Sequence, residues 1–221
     1  MTASFLSKAL RVAFCAALLW SGAAKTQGDA TMPTSNKTLV VAMGCFWCAE
    51  SEFRDPQTHR PKKGILDLKV GYAADPERAQ GTETPTYEDH PGYVEALKIT
   101  YDETQISRET LLNTFWHNVD PYDAQGQFCD KGPPYVAVLF YMNEEEKRDA
   151  QASLEKAKRD LEASGNNAPT QAITTRLLPF KSFFDAEDYH QDYKTKNPIR
   201  YNYYRWACGR DKRLGQIWGK S

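Results

Sequence analysis

A chain of 221 residues with 41% hydrophobic and 26% charged residues carries enough apolar material for one globular domain with a proper core. Its formal net charge of -1 excludes nucleic acid as the main partner.

The first 24 residues differ from the rest. Lys8 and Arg11 lead into an apolar run at 12–20, followed by the small residues Ser21, Gly22, Ala23 and Ala24. A positive start, a short apolar core and small residues make a secretory signal peptide, and the core is too short for a comfortable membrane span. Export to the periplasm or outside the cell is therefore expected, with no stable membrane association after the signal is removed. An organelle transit peptide is the alternative, since no acidic residue precedes Asp29. Residues 25–37 read as a flexible linker and 38–221 as a single domain, with a C-terminal tail from about residue 195. Beyond the signal lie Cys45, Cys48, Cys129 and Cys208. An even count in an exported chain allows two structural disulfides, yet a chain of this size builds a core without them.

The apolar run at 39–43 predicts a buried strand, and residues 49–54 the first turns of a helix. Gly44 is the hinge between them, and Cys45 stands at or near the first helical position. There it faces unpaired backbone N–H groups and the positive end of the helix dipole, which is expected to favour the thiolate. Phe46 and Trp47 follow as a hydrophobic wall. The pair Cys45-x-x-Cys48 by itself also fits a structural disulfide, half a zinc site or a redox couple.

Residues 65–72 alternate, which predicts a strand with Leu66, Leu68, Val70 and Tyr72 on one face. Residues 75–92 form a long loop with Tyr87 in its middle. Residues 94–101 predict a second alternating strand in which Glu95 shares a face with Leu97, Ile99 and Tyr101. A carboxyl group on an apolar face is expected to keep its proton near neutral pH and to donate it. Ser107 caps a helix with Leu111, Leu112 and Phe115 as its buried stripe. Asp120-Pro121 ends that region, and the loop 123–134 carries Cys129 and Asp130. Residues 135–142 predict a strand with Tyr135, Ala137, Leu139 and Tyr141 on one face. Asn143 then caps a long helix with the stripe Ala150, Leu154, Ala157 and Leu161 and with Gly165 just past its end. Residues 173–178 predict a further strand, and the Tyr- and Arg-rich tail with Cys208-Gly209-Arg210 is expected to wrap the surface. This order of elements predicts a small α+β domain, with helices packed on a mostly antiparallel or mixed sheet.

With these residues in place, the chain resembles the A-type peptide methionine sulfoxide reductases. The resemblance rests on Gly44-Cys45-Phe46-Trp47 after a strand, Gly71-Tyr72, Pro85-Thr86-Tyr87, Glu95 with Tyr101-Asp102, Asp120-Pro121, Gln125-Gly126, Asp130 before Tyr135, and Ala186-Glu187-Asp188-Tyr189-His190-Gln191, all in one order. It implies an α/β roll: a mixed sheet with a βαβ core and packed helices. It implies thiol-dependent reduction of methionine S-sulfoxide, free or in oxidised proteins, with no metal or organic cofactor. It also implies a thioredoxin-like reductant, and a monomer is expected. Carried over residue by residue, Cys45 is the nucleophile, Glu95 the acid at the sulfoxide oxygen, Tyr87 and Tyr135 its hydroxyl partners and Asp130 the loop aspartate. Phe46 and Trp47 form the pocket for the substrate methyl group. The chain departs from the commonest pattern at Cys48, where glycine is usual, at Tyr93 (histidine), at Val136 (arginine) and by the extra Phe128-Cys129 before Asp130.

The chemistry of these residues is consistent with that reaction. A sulfoxide oxygen leaves only when protonated, which Glu95 and the two tyrosine hydroxyls serve. Attack by Cys45 on sulfur then yields a sulfenic acid, which a second thiol condenses to a disulfide. Cys208, then Cys48, then Cys129 are the expected order of recycling candidates. The rival readings are a general thiol–disulfide oxidoreductase using Cys45 and Cys48, and a zinc module using that pair with two of Cys129, His190 and Cys208. His59, His90 and His117 read as surface or satisfied loop residues, and the tyrosines at 201, 203 and 204 as packing.

Overall fold

The computed structural model describes residues 35–78, 84–164 and 172–219. The signal at 1–24, most of the linker and Gly165 lie outside them. Residues 33–221 form one compact unit.

Among the described residues, six strands make one mixed sheet. The first is β1 (Asn36–Met43), which begins just inside the stretch read as linker. It is followed by β2 (Ile65–Ala74) and β3 (Tyr93–Asp102). A two-residue pair, β4 (Gly126–Gln127) and β5 (Asp130–Lys131), forms a small separate hairpin in the loop that carries Asp130. The sheet resumes with β6 (Ala137–Tyr141), β7 (Arg176–Pro179) and β8 (Phe183–Asp185). Its order is β7-β6-β1-β3-β2-β8. All neighbours are antiparallel except β6 and β7, which run parallel because a helix, α3 (Glu144–Ala163), joins them. That βαβ unit and the mixed sheet are the fold the sequence leads one to expect.

The sheet is buried on both faces, which is why β1 reads as an unbroken apolar run. Leu39, Val41 and Met43 join Leu97, Ile99, Tyr101, Val70 and Tyr72 under the helices α1 (Phe46–Glu52), α2 (Arg108–Trp116) and α3. Val40, Ala42, Ala96, Val138 and Phe140 form a second, smaller cluster on the opposite face. The capping predictions hold. Ser107 accepts from the Thr110 N–H at 3.2 Å, and Asn143 accepts from the Glu146 N–H at 2.9 Å.

Four differences from the sequence reading have physical reasons. A β-bulge between Ile65 and Asp67 turns Ile65 into the core and leaves Leu66 49% exposed, so Leu66 is not on the face of Leu68. Tyr135 is not in a strand. The prolines at 133 and 134 set a 3-10 turn, Pro133–Tyr135, and β6 starts only at Ala137. The short edge strand β8, with too few residues for a periodic signal, pairs with β2 where Gly71 leaves room. A Cβ there would lie 2.1 Å from the Phe184 carbonyl oxygen.

The tail, finally, does not only wrap the surface. It forms α4 (Tyr193–Lys196), α5 (Pro198–Ala207) and α6 (Arg210–Trp218). Leu214, Ile217 and Trp218 of α6 enter the main core, and Trp218 donates its indole N–H to the Val119 carbonyl at 3.1 Å.

Candidate active site

The site forms where β1 ends. Gly44 takes φ +78°, a left-handed conformation, and its missing side chain admits Gln127, whose Cβ would lie 2.6 Å from an added Cβ. The turn makes Cys45 the N-cap of α1, its carbonyl accepting the amides of Cys48 and Ala49, each at 3.1 Å. The acid arrives by strand register. β1 pairs with β3 as far as Val41 opposite Leu97, so Glu95, two residues further along β3, stands beside the start of α1. There its Oε2 accepts the Phe46 N–H at 2.9 Å.

Glu95 is 2% exposed. Burial pushes its carboxyl up to about 8, helped by the nearby charges of Asp130 and Cys48 and opposed by hydrogen bonds from Phe46 N–H and the Tyr135 hydroxyl. The expectation of a protonated acid on an apolar face therefore agrees with its surroundings, and Glu95 does not turn out to solvent.

One small cavity of about 70 Å³ is lined by Cys45, Phe46, Trp47, Tyr87, Glu95, Asp130, Tyr135 and Tyr204. Every residue expected to touch substrate is among them. Trp47 is held on three sides. Tyr193 stacks on it at 3.7 Å, Tyr204 meets it edge-on at 6.1 Å, and its indole N–H donates to His190 Nδ1 at 3.1 Å. The segment 186–191 acts as a bracket behind the pocket. Glu187 accepts the Tyr72 hydroxyl at 2.9 Å and the Tyr87 N–H at 3.0 Å, while Gln191 pairs with both backbone groups of Val70 at 3.0 and 2.9 Å. Burial raises the phenols of Tyr87 and Tyr135 above their ordinary range, so both are O–H donors.

The two buried thiols depart from expectation. Cys45 was expected to be the thiolate. Burial instead pushes it well up, and its hydrogen bond to Cys48 and the charges of Cys48, Glu95 and Asp130 push the same way. A seven-residue helix offers too little dipole to overcome this. Cys48 is brought down to about 7, first by the hydrogen bond with Cys45, against burial, then by the charges of Arg210 and Arg205 and a hydrogen bond with Tyr201. Burial thus works against a Cys45 thiolate, and Cys48, beside Arg210 and Arg205, is the more readily ionised of the two. Arg210 is 1% exposed, donates to the carbonyls of Met43 and Asn118 at 3.3 and 2.5 Å, and lies 4.4 Å over the Phe128 ring.

Cys129 and Cys208 form a disulfide across 79 residues, with Cα atoms 5.0 Å apart. Cys208, first in the expected order of recycling thiols, is thus bonded to Cys129, while Cys45 and Cys48 are both free and buried. The zinc reading finds no ligand set. Among the described residues the metal-capable side chains that gather are Cys129, Asp130 and Cys208, and two of these are bonded to each other. His117 places Nδ1 2.9 Å from the Asn113 carbonyl, as a satisfied residue does, whereas His90 places Nδ1 2.8 Å from the Thr86 carbonyl but leaves Nε2 buried without a partner among the described residues. Tyr93 packs edge-on against Phe184 at 5.8 Å.

Sequence reasoning missed Tyr204, taken as packing, whose hydroxyl donates to Asp130 Oδ2 at 2.5 Å. It also missed Tyr201, which covers the two thiols. The spacing Tyr201, Tyr204, Cys208 puts all three on one side of α5 and was the available signal.

Comparison with known proteins points the same way. The family model described as peptide methionine sulfoxide reductase matches residues 37–221. Over 214 residues the chain is 36% identical to the peptide methionine sulfoxide reductase MsrA 2 of Caulobacter vibrioides, covering 95% of this chain and 98% of that one. It is 38% identical over 185 residues to the MsrA/MsrB protein of Vibrio cholerae, covering 81% of this chain but spanning only 44% of that longer relative. Among solved structures, methionine sulfoxide reductase A of Corynebacterium diphtheriae superposes with a TM-score of 0.62 at 26% identity, over 76% of this chain and 78% of that one.

Proposed function

Since the chain belongs to the peptide methionine sulfoxide reductase family, we propose that the cavity at the end of β1 is where it reduces the sulfoxide, with Cys45 attacking sulfur. The activity is that of a peptide-methionine (S)-S-oxide reductase. The observation that carries the site assignment is the convergence of one thiol, one protonated carboxyl group and two phenol hydroxyls on a single small cavity. A general thiol–disulfide oxidoreductase has no use for a buried Glu95 or for those hydroxyls.

In the proposed sequence the sulfoxide oxygen accepts hydrogen bonds from Tyr87 and Tyr135 and the proton of Glu95. The Cys45 proton passes to the Cys48 thiolate as the Cys45 sulfur attacks. The sulfur–oxygen bond of the substrate breaks, oxygen stays on Cys45 as a sulfenic acid, and methionine leaves with the electron pair. Cys48, hydrogen-bonded to Cys45, then attacks that sulfur. The Cys45–Cys48 disulfide forms and water leaves. The net change is one sulfoxide and two thiols to one thioether, one disulfide and one water.

The Cys129–Cys208 pair, with Cys129 exposed, is the proposed relay by which a thioredoxin-like dithiol returns two electrons. Export to an oxidising compartment is part of the same proposal. The sequence of residues 1–24 and the bridged cysteines support it.

The test uses the two epimers of a chromogenic methionine sulfoxide with dithiothreitol as reductant. Turnover of the S epimer alone, abolished in Cys45→Ser, is expected. Equal turnover of both epimers, or full activity without Cys45, would overturn the assignment.

A further inference from the structure

Asp130 and Tyr204 come from segments far apart in the chain, and two links join those segments side by side. One is the 2.5 Å hydrogen bond from the Tyr204 hydroxyl to Asp130 Oδ2. The other is the disulfide from Cys129, the residue before Asp130, to Cys208, one helical turn beyond Tyr204. The Cys129 N–H also donates to Cys208 Sγ at 3.2 Å. Both Asp130 and Tyr204 line the cavity, and Tyr204 meets Trp47 edge-on. Among the described residues the Tyr204 hydroxyl is hydrogen-bonded to a carboxylate held in the substrate cavity, so it does more than pack.

We propose that Tyr204 is a positioning residue that acts through Asp130 on the acid Glu95, and that the Cys129–Cys208 disulfide pins the two segments that carry the pair. Burial raises the Asp130 carboxyl above its ordinary range, and Tyr204 opposes this by donating to the ionised form, with the charges of Arg210 and Lys131 assisting. The ionised Asp130 in turn faces Glu95 and favours its protonated form. The other groups that face Glu95 are Cys45 and Cys48 of α1, Tyr135, Tyr87 and Tyr72. None of these changes partner when Tyr204 loses its hydroxyl. The bridge thereby gains a second role besides passing electrons, because its redox state bears on the step that precedes recycling.

This inference rests on Glu95 being the acid of the first step. Its test is the pH dependence of that step alone, read as methionine released per enzyme in a single turnover, so that recycling does not enter. Tyr204→Phe keeps the ring against Trp47 and removes only the hydroxyl. The pH at which the rate falls is expected to move down in this variant. Asp130→Asn should move it at least as far, and the double variant no further than Asp130→Asn. The doubly substituted Cys129→Ser, Cys208→Ser protein, which retains Cys45 and Cys48, should shift the same limb in the same direction.

An unmoved limb in Tyr204→Phe, or additive shifts in the double variant, would overturn the positioning role. An unmoved limb in the serine pair would overturn the pinning. Glu95→Gln separates this from the parent reading. If Glu95→Gln keeps the wild-type limb, Glu95 is not the acid. If it loses the limb while Tyr204→Phe keeps it, the inference about Tyr204 fails alone.

Discussion

The backbone N–H of Phe46 donates to Glu95 Oε2 at 2.9 Å, so the first helical amide after Cys45 is joined directly to the buried acid. The bond crosses 49 residues of chain and ties the end of β1 to β3. It holds the carboxyl group in one orientation, and Glu95 needs only that orientation and its proton. The rate of sulfoxide attack should therefore fall as pH rises through about 8, where Glu95 loses its proton. Glu95→Gln should remove that limb and slow the step roughly 100- to 10,000-fold, the usual contribution of a positioned general acid. Rapid-quench measurement of released methionine checks both, and an unchanged rate would sink the assignment.

Cys45 and Cys48 are joined by a hydrogen bond, and Cys48 is the more readily ionised of the two. Cys45→Ser should abolish the reaction at every pH. Cys48→Ser should leave a slower first step throughout the neutral range, because the proton acceptor is gone and burial keeps Cys45 a thiol there. Identical single-turnover rates for Cys48→Ser and wild type across that range would show that Cys48 takes no proton from Cys45.

On the proposed route, recycling divides between two pairs of thiols. Mass mapping after one turnover of enzyme whose Cys129–Cys208 bridge is intact should find Cys45 linked to Cys48. Cys208→Ser should keep turnover with dithiothreitol and lose it with a thioredoxin-type protein, because the relay disulfide with Cys129 cannot form. A Cys45–Cys208 linkage in the wild type would reverse the order.

The tail also contributes to stability, because α6 packs in the main core. Ile217 is 6% exposed in the main core, and Ile217→Ala should destabilise the fold by about 2–4 kcal/mol in urea unfolding. Tyr203→Ala, at a residue 69% exposed on the outer side of α5, should stay within about 0.5 kcal/mol of wild type. Equal midpoints for the two variants would mean that α6 is not part of the cooperative core.

Much of this molecule was legible before any coordinates. The apolar run of β1, the hinge at Gly44, the caps Ser107 and Asn143 and the stripe of α3 are local signals, set by residues within about one helical turn or a strand pair of each other. Glu95 was legible for the same reason, since period-two alternation alone puts its side chain among Leu97, Ile99 and Tyr101. The motif order carried the rest of the pocket, from Phe46 and Trp47 to Tyr87, Asp130 and Tyr135.

What the tertiary structure decided depends on approaches between distant segments. Leu66 points outward because β2 bulges against its partner strand, and Tyr135 leaves the strand because two prolines tighten the turn before it. Tyr204 becomes a site residue because α5 returns to the loop at Asp130, a contact over 74 residues that no local pattern encodes. The bridge between Cys129 and Cys208 was one of several pairings that four cysteines allow. The coupling of Cys45 to Cys48 was not legible in the sequence, where only the helix start shows. The burial of the two thiols and the charges of Glu95, Asp130, Arg205 and Arg210 around them are assembled only when the sheet, the loop and the tail close over them.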